Sequence, residues 1–209
     1  LLKSVYADSS EDELLEMMNF IKKRKDEQIM GGASGRGKRK NKNLARQAAT
    51  YLRKSDGPRV AVFEVNGFDT HAAQGGVDGT HTKCLVEMDE IINNLKDNLQ
   101  EAYKDTIILT VTEFGRTIKQ NGGNGTEHGY GTAIFMAGGL LKKSQVHTDW
   151  PGLKRKELYD GRDLNATIDA RSVYASAMST VFDLDFKRIQ KDVFWGEDLQ
   201  NLSDKLFKA

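Results

Sequence analysis

The stretch Arg59–Val65 reads RVAVFEV, and the polar stretch Asn66–His71, NGFDTH, follows it directly. Apolar and β-branched residues dominate the first stretch, which predicts a strand that is buried on both faces, as in a parallel sheet. In open parallel sheets, ligands bind beyond the carboxyl ends of the strands. Asp69 and His71 therefore fall where a binding site is expected.

The order of strand, polar loop and helix continues beyond this first strand. Thr82–Tyr103 carries an apolar stripe at helical spacing and predicts an amphipathic helix. Thr106–Thr112 and Thr132–Met136 are short, apolar and rich in branched residues, which predicts two further strands. Strands that alternate with helices indicate a parallel sheet. We therefore expect an α/β fold over residues 58–209, with a mostly parallel sheet flanked by helices that include Asp169–Phe182.

Residues 1–57 have a different character, and we expect them to form a helical segment. Ser9–Arg24 has an acidic start and an apolar stripe, and Leu44–Lys54 has a second stripe, so two helices are predicted. Between them, residues 31–43 form a glycine-rich basic run, GGASGRGKRKNKN. We interpret this run as a solvated, mobile loop. The alternative is a segment that binds nucleic acid or an anionic surface, although the run has no aromatic residue for base stacking.

The composition argues against several classes of function. With 31 basic and 30 acidic residues, the net charge of +1 argues against general nucleic-acid binding. No apolar run approaches the roughly 18 residues that a membrane helix needs. The single cysteine, Cys84, cannot form an intramolecular disulfide, and we interpret it as a core residue. The chain opens at Leu1 without an initiator Met or a signal-type sequence, so we expect it to be incomplete.

Several polar side chains that could bind a ligand or take part in catalysis lie near the predicted strand ends. Six of them share this placement: Asp69, His71, Glu113, Arg116, Glu127 and His128. Carboxylates and imidazoles that arrive from separate loops make a suitable site for zinc, manganese or iron. A guanidinium group beside them could bind an oxygen of a phosphate or sulfate.

Each of these residues also has a structural explanation. Asp69 could cap its own turn, and His71 could simply be exposed. Glu113 and Arg116 could form an ion pair. Their convergence at one predicted edge favours the functional interpretation. His81 lies near the same edge, whereas His147 lies apart from it and is interpreted as structural.

The glycine-rich loop Asn121–Thr126 does not match a nucleotide-binding motif. It lacks the Lys-Ser/Thr ending of a P-loop, and it precedes a predicted strand where a P-loop would open a helix. It also fails the dinucleotide-binding pattern. The sequence therefore gives little support to nucleotide binding.

Four motifs, in their order and spacing, resemble those of one bacterial family. They are Gly67–His71 (GFDTH), Glu113–Thr117 (EFGRT), Gly125–Gly129 (GTEHG) and Asp163–Arg171 (DLNATIDAR). By these motifs the chain resembles the family known as domain of unknown function 1501, over about Arg59–Leu184. That family is related to the sulfatases and alkaline phosphatases, and its members often carry an export signal. The resemblance therefore implies the C-terminal half of an alkaline phosphatase-like fold in a periplasmic or otherwise exported protein.

The resemblance also implies metal ligands. Members of the superfamily hold two metal ions beside a Ser, Thr or modified Cys nucleophile. Asp69 and His71 resemble the first ligand pair of one metal, and His128 resembles its later histidine. Glu113 resembles a ligand of the second metal, whose histidine is replaced here by Phe114. The spacing Asp-x-His is also tighter than the usual Asp-x-x-x-His.

The implied function is metal-dependent hydrolysis of phosphate or sulfate esters, with an anionic small molecule as substrate. The expected cofactor is a divalent ion (zinc, manganese, iron or calcium), with Arg116 binding the anion and Glu127 supporting the ligands. No stretch between Leu1 and Pro58 reads as a strand followed by Asp and Ser or Thr, so the nucleophile is expected upstream of this chain. The alternative is a non-catalytic exported binding or scaffold protein of the same fold. Nucleic-acid binding through Gly35–Lys42 is the least favoured hypothesis.

Overall fold

The computed structural model describes residues 34–208, with side chains described from Asn41 onward. Its α-helices are α1 Ser34–Leu52, α2 Thr80–Leu99, α3 Ala170–Phe182, α4 Phe186–Asp192 and α5 Ser203–Leu206. Two 3₁₀ helices span Gln100–Asp105 and Arg155–Glu157. The strands are β1 Ile108–Leu109, β2 Gly115–Arg116, β3 His128–Gly129 and β4 Met136–Ala137. The predicted helix Ser9–Arg24 lies outside the described residues.

Helices α1 and α2 share the first core cluster. Five fully or almost fully buried residues form it: Ala45, Ala49, Ile91, Leu95 and Leu99. In each helix these residues recur four apart, so they lie on one face. Helix α2 ends where Gln100 adopts a positive φ of 52°, and the chain continues as a 3₁₀ helix. The long helix predicted over Thr82–Tyr103 is thus confirmed as far as Leu99, and a separate 3₁₀ helix follows it.

The basic run at residues 31–43 is helical from Ser34 on, as the first part of α1. Lysine and arginine are good helix formers, whereas the glycines among them are poor ones. The end of the run also has partners on α2, because the Asn41 amide donates to Glu87 at 2.7 Å and Lys42 pairs with Glu90 at 3.2 Å. Residues 34–43 are therefore helical in the described part of the chain, where the sequence predicted a loop.

The predicted parallel sheet is absent from residues 34–208. β1 pairs with β4 in an antiparallel ladder, and β2 pairs with β3 in another. Each ladder has only two strands of two residues. The stretch Arg59–Val65 contributes to neither ladder. The expectation of an α/β fold with a mostly parallel sheet flanked by helices, of the alkaline phosphatase-like kind, is therefore wrong for the described residues.

The exposure of the apolar stretches gives the physical reason. Phe63 and Val65 pack against the core of α1 and α2, but Val60 and Val62 are 57% and 90% exposed. The later stretches repeat this pattern, since Val111 is also largely exposed. An apolar run shows that a segment contacts a core, but it does not show whether one or two faces are covered. Here only one side is covered.

Helix α3 carries the remaining core. Val173 and Ala177 pack with Leu202, Leu206 and Phe207 from the end of the described chain. Ala175, on another side of α3, packs with α4, which brings in the buried Phe186 and Ile189. The helix predicted over Asp169–Phe182 is confirmed. Within residues 34–208, no helix has the length and apolar character needed to cross a membrane.

Candidate metal centre

The β2–β3 ladder and the loop before α2 build the candidate site. The ladder places His128 directly opposite Arg116. The loop is held beside it, because the Thr126 amide donates to the carbonyl of Thr70 at 3.2 Å. The Gln74 side chain adds a second tie by accepting hydrogen bonds from both threonine hydroxyls, at 2.9 and 2.8 Å. These contacts bring the motifs at Gly67–His71 and Gly125–Gly129 together.

The helix α2 anchors the other end of this loop. Cys84 is buried on α2, as predicted, and its thiol donates to the carbonyl of Gly67 at 3.2 Å. Gly67 has a φ of 104°, a backbone conformation that a side chain would disfavour. The loop that carries Asp69 and His71 is therefore held at both of its ends.

Asp69, His71 and His128 come together at the surface. The Oδ1 atom of Asp69 lies 3.0 Å from Nε2 of His71 and 2.9 Å from Nε2 of His128. One potential ligand atom from each of the three residues lies within 4.8 Å of the others. All three side chains are exposed, so an ion has access from solvent. Two imidazoles and one carboxylate form the donor set of many catalytic zinc and non-haem iron sites.

Arg116 lies against this cluster and joins its two loops. Its Nη2 atom donates to Asp69 Oδ1 and to the Phe68 carbonyl, both at 2.7 Å, and its Nη1 atom donates to the Thr126 carbonyl at 2.9 Å. The side chain is only 17% exposed. Its terminal nitrogens are thus engaged by protein oxygens, and the anion-binding role of Arg116 stays a prediction.

Glu127 approaches His71 from the side opposite Asp69. Its Oε2 atom lies 2.9 Å from Nδ1 of His71, and its Oε1 atom accepts a hydrogen bond from the Asn121 amide. That hydrogen bond from Asn121 is the main cause that lowers the pKa of Glu127. The side-chain contact with His128 is the main cause that lowers the pKa of Asp69. Both carboxylates are therefore ionised at neutral pH, as metal binding requires.

The other predicted site residues lie outside the cluster. Glu113 is exposed and is not one of the three residues that converge. Phe114, the residue next to Glu113, stacks on the ring of His128. His81 packs edge-on against Phe68, and His147 hydrogen-bonds with Gln145.

Asn121 and Gln74 belong to the site but were missed by sequence reasoning. An asparagine before two glycines is a turn signal, and the Asn121 side chain does accept from the amides of Gly123 and Gly125, at 2.9 and 3.0 Å. Its contact with Glu127 depends on how the loop folds, and no pattern in the sequence indicates it. The same holds for Gln74, whose partner Thr126 lies 52 residues away.

Comparison with known proteins adds a family but no function. Neither a curated protein nor a solved structure is significantly similar to the chain. The model of DUF1501, described as a protein of unknown function, matches residues 6–191. This match includes the motifs that hold Asp69, His71 and His128, and it confirms the family resemblance seen in the sequence. The chain belongs to the DUF1501 family.

Proposed function

We propose that Asp69, His71 and His128 bind one divalent metal ion, and that this site hydrolyses phosphate or sulfate esters. The donor set favours zinc, iron or manganese, since imidazole nitrogens suit these metals better than calcium. Three protein ligands also leave a coordination position free for water or substrate, as in catalytic zinc sites.

The observation that carries the proposal is the surroundings of His71. A carboxylate oxygen lies beside each of its ring nitrogens, Glu127 Oε2 at Nδ1 and Asp69 Oδ1 at Nε2. An ionised carboxylate only accepts hydrogen bonds, and a neutral imidazole carries one N–H. With that proton on Nδ1, the lone pairs of Nε2 and of Asp69 face each other across 3.0 Å.

A positive charge between these two atoms satisfies both lone pairs. A second proton on His71 would do so for this pair alone. The Nε2 atom of His128 approaches the same Asp69 oxygen at 2.9 Å, so a single cation could serve all three groups. The convergence of three ligand atoms favours a metal ion over a proton.

The chain's own residues would fix the geometry of the reaction. Arg116 holds Asp69 in place and ties its loop to the strand that bears His128. The cluster is exposed, so an anionic small molecule could reach a metal bound there. A metal bound there would polarise an ester oxygen and lower the pKa of a coordinated water. The proposed relation to sulfatases and alkaline phosphatases rests on these site residues alone. The periplasmic or otherwise exported location remains a prediction.

A non-catalytic binding or scaffold role is the second candidate. Phe114 favours it, because this residue stands where the superfamily has a histidine of the second metal site. The terminal nitrogens of Arg116, engaged by protein oxygens, favour it as well. Under this alternative, the same three ligands would order the loops without turnover.

Metal analysis of protein purified without chelators tests the proposal. We expect about one equivalent of metal per chain in the unmodified protein. His71→Ala and His128→Ala should lose the metal, whereas His147→Ala, at a histidine outside the cluster, should retain it. A metal-free protein whose melting temperature is unchanged by added zinc would refute the metal site. Turnover of p-nitrophenyl phosphate or sulfate by the metal-loaded protein would separate the hydrolase from the scaffold.

A further inference from the structure

We propose that Asn121 is a positioning residue of the metal centre, which holds Glu127 against Nδ1 of His71 so that Nε2 faces the metal. This inference rests on the proposed metal site and goes one step further. It names the residue outside the ligand set that determines which nitrogen of His71 binds.

Every polar atom of the Asn121 side chain has a partner. Its Oδ1 atom accepts from the backbone amides of Gly123 and Gly125. Its Nδ2 atom donates to Glu127 Oε1 and to the His71 carbonyl, the latter at 2.8 Å. Backbone amides only donate, and carboxylate and carbonyl oxygens only accept, so the orientation of the Asn121 amide is determined by its partners. The NH₂ group must point toward Glu127.

The same rule fixes the proton on His71. Glu127 cannot donate a hydrogen bond when ionised, so with the proposed metal at Nε2 the nitrogen beside Glu127, Nδ1, carries the N–H. The lone pair of the imidazole is then on Nε2, which faces Asp69 and lies in the cluster with His128. A carboxylate that accepts from a metal-binding histidine orients the ring and makes it a stronger ligand. The Asn121 amide, the Glu127 carboxylate and the His71 imidazole thus form a hydrogen-bonded chain that leads to the proposed metal. This chain is called the relay below.

The loop that carries Asn121 is docked closely on the chain after His71. The backbone N–H of Ala73 donates to the Gly123 carbonyl at 2.9 Å. Within the loop, the backbone N–H of Asn121 donates to the Gly125 carbonyl, also at 2.9 Å. A Cβ atom at Gly125 would lie 2.3 Å from the His71 carbonyl carbon, so this approach requires glycine. Asn121 is therefore held at a fixed position relative to His71.

A purely structural role for Asn121 makes a different prediction. Under that role, the hydrogen bonds from Gly123 and Gly125 to Oδ1 are what matters, because they close the loop. The change Asn121→Asp separates the two roles, since it keeps an acceptor for these amides and removes the donor to Glu127. Asn124→Asp is the matched control. It places the same charge in the same loop, at a side chain without a hydrogen bond to another described residue.

The test measures zinc affinity by competition with a chromophoric chelator, together with the melting temperature of the metal-free protein. Loss of a partner that orients a metal ligand weakens binding by about 10- to 100-fold. We expect this loss for Asn121→Asp and for Glu127→Gln, but not for Asn124→Asp. We also expect the visible spectrum of bound cobalt to shift in the first two variants only. In a Glu127→Ala background, Asn121→Asp should cause no further loss, because the relay is already broken.

The following results would overturn the inference. Equal zinc affinity of Asn121→Asp and Asn124→Asp would remove the role of Asn121, and an undiminished loss in the Glu127→Ala background would show that Asn121 does not act through Glu127. If Asn121→Asp does not fold, unchanged affinity in Glu127→Gln would be decisive in its place. Failure of the unmodified protein to bind zinc would refute the proposed function as well. Zinc binding that depends on His71 but not on Asn121 would refute the inference alone.

Discussion

The ring of Phe114 lies face to face on the imidazole of His128, with centroids 4.2 Å apart and planes 4° apart. The guanidinium carbon of Arg116 lies 4.9 Å from the centroid of the same Phe114 ring. The residue that departs from the expected metal-ligand pattern thus supports a proposed metal ligand. We infer that Phe114 orients His128 within a site for one metal ion.

Replacement of Phe114 should weaken metal binding without abolishing it. Stacked aromatic pairs contribute about 1 kcal/mol beyond their buried area, which corresponds to about a five-fold change in affinity. We therefore expect Phe114→Leu to bind zinc about five-fold more weakly. Isothermal titration of the metal-free protein gives both the affinity and the number of sites.

The matched control is Phe135→Leu, at a phenylalanine that is 50% exposed and does not stack on His128. It should leave the zinc affinity unchanged. Two equivalent zinc sites in the unmodified protein would contradict the single-metal interpretation of Phe114.

Gly125 should tolerate no side chain. A Cβ atom there would meet the backbone of Thr70 and His71 at 2.3–2.4 Å, whereas a Cβ atom at Gly122 would meet no atom within 4 Å. Because the backbone must shift, we expect Gly125→Ala to lower the free energy of unfolding by about 1–3 kcal/mol and to weaken zinc binding. Gly122→Ala should leave both quantities almost unchanged. Urea unfolding and zinc titration compare the two variants, and similar behaviour would refute the close docking of this loop.

The candidate site was more accessible to sequence reasoning than the fold. Asp69, His71 and His128 lie in short polar motifs beside glycines, and such turns favour exposed side chains near apolar segments. Glu113 could not be separated from them, because the direction of a side chain depends on the local backbone. Asn121 was missed because its function depends on contacts with His71, which is 50 residues away.

The helices could be predicted from the sequence, whereas the pairing of the apolar stretches could not. Apolar residues at helical spacing over many turns identified α2 and α3, because one buried stripe is sufficient evidence for a helix. The stretch Arg59–Val65 is equally apolar, but its residues do not tell whether a second layer covers them. Val62, which is 90% exposed, shows that none does within the described residues.

Ser176 connects α3 to the end of the described chain, and its removal should destabilise the protein. It is fully buried, donates to the Ser172 carbonyl at 2.7 Å and accepts from the Leu202 amide at 2.8 Å. Ser176→Ala leaves that buried amide without its acceptor, which costs about 1–3 kcal/mol. We expect this decrease in the free energy of unfolding by urea denaturation, with unchanged zinc affinity. Ser179→Ala, at an exposed hydroxyl that donates to Leu184, should change stability by less than about 0.5 kcal/mol. Equal effects of the two changes would contradict the role of Ser176.

Asp169 should make the stability of the protein depend on pH through the start of α3. Its carboxylate accepts from the Arg171 amide at 2.8 Å and from the Arg171 guanidinium at 2.7 Å. The guanidinium is the main cause that lowers the pKa of Asp169 below its ordinary value of 3.8. The charged form is therefore favoured in the folded state, and its contribution is complete above pH 3.8 and disappears as the pH falls through the lower folded-state pKa.

The change Asp169→Asn isolates this charge, because asparagine also caps helices well. We expect the unmodified protein to be more stable than this variant at neutral pH, and the difference to vanish under acid conditions below the folded-state pKa. Asp169→Ala, which also loses the cap, should be less stable by about 1 kcal/mol at neutral pH. Urea denaturation at a series of pH values measures all three proteins. A stability difference between the unmodified protein and Asp169→Asn that stays constant down to the most acidic pH would show that the charge of Asp169 does not stabilise α3.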